Sequence, residues 1–129
     1  MKKSFKSLLL LLLFVPCLFF MTACGNIKEV ANKTFVFAKC EVTGNISKTT
    51  AENLFKDYFL KFTDEEFMVY SSESEPAVDT YTYTFSGDTI TGVNVNDSSQ
   101  AVYKVSGEYI VVEIAQNSTD SVKVFFKEK

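Results

Sequence analysis

Apolar and polar residues alternate with a period of two along most of the chain after residue 33. The clearest run is Tyr81, Tyr83 and Phe85, which alternates with threonines and is typical of a strand with one buried face. Counting such runs predicts eight strands, at about 34–43, 59–63, 66–72, 79–86, 88–95, 99–106, 108–116 and 120–128. We therefore predict a mainly β fold, in which neighbouring strands are antiparallel because the connections between them are short. It is an eight-stranded antiparallel up-and-down meander that closes into a small barrel, since closure removes exposed edges.

One segment has a helical period instead. Four apolar residues recur at the i, i+3, i+4, i+7 spacing of one helix face: Ala51, Leu54, Phe55 and Tyr58. Thr49 and Glu52 match a capping box, in which two side chains satisfy free backbone N–H groups at a helix start. We therefore predict one helix between strands 1 and 2, capped by Thr49, which covers one mouth of the barrel with Leu54, Phe55 and Tyr58.

In two strands, the odd or even numbering of the apolar residues predicts which side chains face the interior. In the first strand the even-numbered residues of Val36–Val42 are all apolar, which predicts that they face inward, Cys40 included. In the fifth strand the apolar parity changes at Gly92, so that Val93 and Val95 would face solvent in a regular strand. We predict a β-bulge at Gly92 that turns both valines inward, because glycine often marks bulges.

The first 25 residues are of a different kind. Three lysines among the first six residues precede the apolar run Leu8–Met21, which at 14 residues is shorter than the ~20 needed to span a bilayer. Such a run is typical of a signal peptide, and the small residues around Cys24 resemble the lipobox of bacterial lipoproteins. An ordinary secretory signal and an uncleaved anchor are the alternatives.

The lipobox resemblance implies an extracytoplasmic protein held at the cell membrane by lipid on Cys24. It divides the chain into a signal peptide at 1–23, a lipidated cysteine and tether at 24–33, and a barrel domain at 34–129. The 106 residues that remain after cleavage suffice for one small core. Cys40 is then the one cysteine left for pairing, which excludes an internal disulfide and favours a buried thiol.

Charge and composition narrow the possible functions. After cleavage the chain has 10 lysines against 16 acidic residues, a net charge of −6, and it has no arginine or histidine. Nucleic acid is therefore not an expected partner, since no basic stripe can neutralise phosphates. The lack of histidine excludes Ser–His and Cys–His nucleophile pairs and histidine-based metal sites.

We accordingly predict a protein that is not an enzyme and that has no cofactor or metal. Acidic residues do cluster, at Asp64–Glu66 and at Glu73 and Glu75. A carboxylate pair of this kind could serve a hydrolase. We interpret both clusters as charged turns, because the first lies where a hairpin turn is needed and the second lies in a loop.

Four aromatic residues are the candidate ligand site: Tyr81, Tyr83, Phe85 and Tyr103. Strand parity directs them to the barrel interior. One interpretation is an apolar cavity of roughly 300 Å³ or more, with tyrosine hydroxyls as polar contacts. The other is a core filled by side chains, which the short strands and large residues favour.

The meander and its hairpins resemble the small lipocalin-like domains of bacterial lipoproteins. The pattern Tyr-x-Phe-Ser-Gly-Asp-x-Ile around Gly87 recurs as Tyr-x-Val-Ser-Gly-Glu-x-Ile around Gly107. The Gly-x-Trp motif of true lipocalins is missing, and a helix after the first strand is more similar to fatty-acid-binding proteins. The resemblance implies a binding module for a small apolar ligand or an envelope component. The alternative is an interaction or inhibitor lipoprotein that binds an envelope protein through loops 71–79, 95–99 and 116–120.

Overall fold

The computed structural model describes residues 27–129, so the predicted signal peptide and Cys24 lie outside the described residues. The elements follow in the order β1 (Thr34–Thr43), α1 (Lys48–Phe55), β2 (Phe59–Phe62), β3 (Glu66–Tyr70), β4 (Asp79–Ser86), β5 (Thr89–Asn94), β6 (Gln100–Ser106), β7 (Tyr109–Ala115) and β8 (Ser121–Glu128). Neighbouring strands are antiparallel, and β1 pairs with β8 to close a barrel. The prediction of a mainly β, eight-stranded antiparallel barrel with one helix between strands 1 and 2 is confirmed.

The two Ser-Gly turns have the geometry that the sequence predicts. Gly87 and Gly107 have φ angles of 65° and 64°, and each lies at the first position of a two-residue hairpin loop. Glycine at this position is the signature of a type II′ turn, whose twist matches that of the flanking strands. These turns fix the register of the β4–β5 and β6–β7 hairpins.

A β-bulge lies in β1, where the sequence does not predict one. The pairing of β1 with β8 shifts by one residue at Ala38. Before the bulge Phe35 and Phe37 pack in the core, and after it Cys40 and Val42 do so. The predicted inward parity is therefore wrong for the first half of β1, because the bulge exchanges its two faces.

The predicted bulge at Gly92 is wrong. β5 stays in continuous register with both β4 and β6 across this residue. Gly92 and the buried Asn94 therefore face the interior, while Val93 and Val95 face out with 36% and 49% of their surface exposed. The physical reason is space, since a Cβ atom on Gly92 would lie 2.9 Å from a ring carbon of Phe67.

Helix α1 begins two residues earlier than the capping box predicts. Ser47 is the N-cap, and its hydroxyl accepts a hydrogen bond from Thr50 N at 3.2 Å. The prediction of Thr49 as the cap is therefore wrong, because Thr49 already lies inside the helix. Serine is preferred over threonine as an N-cap residue, which agrees with Ser47 in this position.

One of the three side chains predicted to cover the barrel mouth does not do so. Leu54 is 60% exposed and faces solvent. Phe55 and Tyr58 do pack against the core, with their rings 5.2 Å apart in an edge arrangement. The helix end of the barrel is therefore only partly covered.

The other end of the barrel is closed by the residues that precede β1. Val30 is 2% exposed and belongs to the core. Ile27 N donates to Gly107 O at 3.0 Å, and Phe62 N donates to Lys33 O at 2.9 Å. We call this the closed end and the helix end the mouth end. Within residues 27–129, the structure contains no helix whose length and apolarity would let it cross a membrane.

Candidate functional site

The centre of the barrel is filled by an aromatic cluster around Phe67, which has no exposed surface. Its ring stacks on Tyr81 and Phe62 at centroid distances of 4.9 and 5.0 Å. Tyr83 and Tyr103 meet the same ring edge-on at 6.1 and 5.3 Å. Aromatic pairs at these separations add to the stabilisation from burial alone. The cluster therefore forms a solid floor below the mouth end.

A pocket of about 340 Å³ lies above this floor at the mouth end. Ala101, Tyr81 and Tyr103 line it together with the helix terminus and the walls of β3, β7 and β8. Its apolar wall comes mainly from six residues: Phe55, Tyr58, Val69, Val112, Val124 and Phe126. The interior is thus filled at its centre and hollow at one mouth, which combines the two interpretations of the sequence.

The four aromatic residues singled out in the sequence separate into two groups. Tyr81 and Tyr103 line the pocket. Tyr83 donates its hydroxyl hydrogen to Thr63 O at 2.9 Å, towards the closed end. Phe85 packs against the core and is not part of the pocket wall. Strand parity places all four inside but does not say at which end, so it cannot distinguish the two pairs.

Two of the tyrosines that line the pocket, Tyr81 and Tyr103, remain protonated at neutral pH. Burial raises the pKa of Tyr103 well above the usual tyrosine range, and the neighbouring Tyr81 and Asp79 groups add to this effect. Burial, followed by the negative charge of Asp79, also raises the pKa of Tyr81. Each group can therefore offer a hydroxyl hydrogen as well as an acceptor oxygen to a ligand.

Asn94 supports the rim of the pocket, and the sequence does not single it out. Its side chain is buried, donates to Asp79 at 3.2 Å and accepts from Asn96 N at 2.8 Å. It thereby joins the start of β4 to the β5–β6 turn. One signal in the sequence does indicate its position. Asn94 is two residues from Gly92 and therefore on the same face of a regular strand, whereas a bulge at Gly92 would place it on the other face.

The barrel wall opens between β6 and β7 beside the pocket. These strands pair from Ser106 and Tyr109 only as far as Lys104 and Val111. The pairing of β6 with β5 and of β7 with β8 nevertheless continues to the mouth end. The unpaired parts of β6 and β7, Gln100–Tyr103 and Val112–Ala115, form an opening that we call the β6–β7 cleft.

A comparable gap on the opposite wall is covered. β1 and β2 pair only as far as Val36 and Phe59, yet helix α1 packs against β1 beyond that point. Cys40 lies there with no exposed surface. Burial, followed by the negative charge of Glu52, raises the pKa of the Cys40 thiol. This thiol is therefore a poor nucleophile, in keeping with the buried apolar role expected from the sequence.

Charge is distributed unevenly between the two ends. The mouth end has nine carboxylates and three lysines, a net charge of −6, and the closed end has seven carboxylates and six lysines, with Lys39 midway. The mouth-end groups are Glu41, Glu52, Asp57, Glu73, Glu75, Asp79, Asp97, Glu113 and Asp120, with Lys48, Lys56 and Lys123. Of the four ion pairs within residues 27–129, three join groups at the closed end. The mouth is therefore an acidic rim around an apolar pocket.

Other surface features show less organisation. Open depressions of about 330 and 520 Å³ lie beside Asp64–Glu66 and beside Glu73, outside the barrel interior. Asp64 accepts a hydrogen bond from Asn32 at 2.9 Å, as part of a turn. In the part of the chain that the structure describes, no three acidic or cysteine side chains are grouped closely enough to hold a metal ion.

The pocket and the β6–β7 cleft are thus the most organised candidate site in residues 27–129. No protein-family model matches this chain, and no curated protein or solved structure is significantly similar to it.

Proposed function

We propose that this protein is an extracytoplasmic lipoprotein, anchored in the cell membrane by lipid on Cys24, whose lipocalin-like barrel binds a small apolar ligand at its mouth. The observation that carries the proposal is the pocket of about 340 Å³ between the aromatic floor and the acidic rim. Ligand pockets of small molecules typically measure ~300–1,000 Å³ and combine apolar walls with a few polar groups. The size supports a ligand at the small end of that range.

The lining supports an apolar ligand with one hydrogen-bonding group. Most wall residues are aliphatic or aromatic, and the polar groups among them are the hydroxyls of Tyr58, Tyr81 and Tyr103 and the side chains of Gln100 and Glu113. Burying apolar surface contributes about 25 cal/mol per Å², so the walls supply affinity and the hydroxyls supply orientation. An anionic group would be repelled by the rim, which favours a neutral or cationic ligand.

The position of the anchor is compatible with an accessible pocket. Two residues, Gly25 and Asn26, separate Cys24 from Ile27. The backbone N–H of Ile27 is hydrogen-bonded to Gly107 O at the closed end. A tether of this length reaches only about 10 Å. Lipid on Cys24 would therefore hold the closed end near the membrane and direct the mouth end away from it.

Ligand binding can be tested with N-phenyl-1-naphthylamine, a neutral apolar dye whose fluorescence rises in apolar surroundings. We expect saturable binding to the protein, and at least about tenfold weaker binding to an Ala101→Phe variant, because the new ring fills the pocket. The measurement is a fluorescence titration at constant protein concentration. Ala38→Phe is the matched control, since Ala38 is exposed on β1 and is not part of the pocket wall.

Two results would count against the pocket. The first is an absence of saturable dye fluorescence with the folded protein. The second is equal weakening by Ala101→Phe and Ala38→Phe. If an envelope protein were instead captured through the loops at 71–79, 95–99 and 116–120, with the pocket variant still active, the interaction-lipoprotein alternative would replace the proposal.

The anchor has a test of its own. We expect mass spectrometry of the protein from its native membrane to find a mature N-terminus at Cys24 carrying acyl chains. A Cys24→Ser variant should carry no acyl chains in the same measurement, because serine lacks the thiol to which the lipid is attached. An intact, unmodified N-terminus in the native protein would refute the proposed location.

A further inference from the structure

We propose that the β6–β7 cleft binds an extended cationic peptide segment of another protein, which adds as a strand to the open edge of β7 and inserts an apolar side chain into the pocket. The inference rests on the proposed function in one respect, namely that the pocket accepts an apolar group. It goes further by naming the backbone of the partner as the main recognition element.

The direction of the backbone hydrogen bonds supports this assignment. In β6 the odd-numbered residues bond towards β5, as Val105 N donates to Asp88 O at 2.7 Å. On the other side of the cleft, the even-numbered residues of β7 bond towards β8. Gln116, which directly follows β7, continues this pattern, since its N–H donates to Asp120 O at 2.9 Å. Because backbone groups of consecutive strand residues point to opposite sides, the remaining residues point into the cleft.

The residues whose N–H and C=O groups face the cleft are Gln100 and Val102 on β6 and Glu113 and Ala115 on β7. If the register of the paired part continued, Val102 would lie opposite Glu113. Within residues 27–129, these backbone groups lie beyond the last paired residues of the β6–β7 ladder, Lys104 and Val111. A row of free strand groups is a template for an additional strand, which gains main-chain hydrogen bonds irrespective of its sequence.

The surroundings of the cleft fit alternate side chains of such a strand. Inward-pointing side chains would meet Ala101 and Val112 and enter the pocket. Outward-pointing side chains would lie beside Val102, which is 51% exposed on the barrel surface.

The negative charge of the mouth end favours a basic peptide. The mouth end carries nine carboxylates against three lysines, and most of these carboxylates have no lysine within ion-pair distance in the described residues. A lysine- or arginine-containing segment is attracted by this field, whereas a second copy of the domain would bring an equal negative charge to the same place. The acidic rim therefore favours a basic partner over self-pairing.

The test uses the mature protein and a synthetic peptide, acetyl-Lys-Val-Thr-Phe-Thr-Val-Lys-amide, in which apolar and polar side chains alternate. We expect the amide protons of Glu113 and Ala115 to exchange rapidly in the free protein. About 1 mM peptide should slow their exchange at least about tenfold, as measured by hydrogen exchange in two-dimensional NMR. Val112 and Ile114, whose amides bond to β8, are the internal controls.

Matched peptides separate backbone pairing from other binding. Methylation of the backbone nitrogens at alternate residues should abolish the protection, because a methylated nitrogen cannot donate to an edge. Replacement of both lysines by glutamate should weaken binding at least about tenfold at low salt. Glu113→Pro should keep the fold, since the Glu113 N–H lies beyond the end of the β6–β7 ladder, and should lose peptide binding. Val102→Pro on the opposite edge is the second variant.

The outcomes distinguish this inference from the proposed function. If the dye binds but the peptide leaves the exchange of Glu113 and Ala115 unchanged, the strand-addition proposal is wrong and the apolar pocket stands. If the peptide protects these amides but the dye does not bind, a free small ligand is excluded instead. Protection that rises with protein concentration without peptide would identify a second copy as the occupant and overturn the proposal.

Discussion

Replacing Phe67 with alanine is expected to lower the free energy of unfolding by about 3–5 kcal/mol, the cost of removing a large aromatic side chain from a core. The ring has no exposed surface and contacts aromatic rings from β2, β4 and β6. A small domain is stable by only ~5–15 kcal/mol, so the variant approaches the limit of folding. Urea unfolding, followed by circular dichroism, measures the change.

Phe59→Ala is the matched control for this prediction. Phe59 also stacks on an aromatic ring, that of Tyr70 at 4.7 Å, but it is only half-buried. Its removal should therefore cost well under half as much, since less apolar surface returns to water and no internal cavity forms. Equal losses for the two variants would show that the cluster around Phe67 is not the main source of core stability.

Gly92→Val is expected to destabilise the protein by about 2–3 kcal/mol, although valine is a better strand residue than glycine by up to ~1 kcal/mol. The new Cβ would lie 2.9 Å from a ring carbon of Phe67 and 3.1 Å from Tyr81 Cβ. Phe67 and Tyr81 both belong to the packed cluster and cannot withdraw without moving their neighbours. Packing and strand propensity thus predict opposite signs, and thermal or urea unfolding decides between them.

Two further variants make the cause of this loss explicit. Thr91→Val, one residue away on the outer face of the same strand, should be close to neutral. A Phe67→Leu background should reduce the cost of Gly92→Val by about 1 kcal/mol or more, because it removes the ring that a Cβ would strike. If the two changes were additive, the explanation by contact with Phe67 would be wrong.

The strands themselves could be predicted from the chain because each keeps one apolar face. Alternation such as that of Tyr81, Tyr83 and Phe85 places strand boundaries within about two residues of those in the structure. The Ser-Gly turns at Gly87 and Gly107 then set hairpin lengths. Local chemistry is sufficient for these features, since each depends on the residue and its immediate neighbours.

Facing was mispredicted where the apolar pattern is compatible with two arrangements. In β1 both parities near Phe35 are apolar, so the bulge at Ala38 leaves no signal in the pattern. In β5 the two outward valines, Val93 and Val95, are apolar, so the pattern wrongly predicts a bulge that would turn them inward. The actual constraint is the width of a ring on β3, which is a tertiary property that no local window contains.

The β6–β7 cleft could not be predicted for a related reason. Alternation continues unchanged through Gln100–Tyr103 and Val112–Ala115, where the strands no longer pair. A period of two reports which face of a strand is buried, but it does not report whether the backbone edge has a partner. The site of greatest functional interest is thus invisible in hydrophobic patterning, whereas its pocket tyrosines are visible.

The position of the tyrosines has a practical optical consequence. The chain contains no tryptophan and six tyrosines, and three of these, Tyr58, Tyr81 and Tyr103, line the pocket. Half of the tyrosines therefore lie where a bound ligand would touch them. Changes in tyrosine emission or near-ultraviolet dichroism, at constant far-ultraviolet signal, would report occupancy of the unlabelled protein and provide a direct screen for its natural ligand.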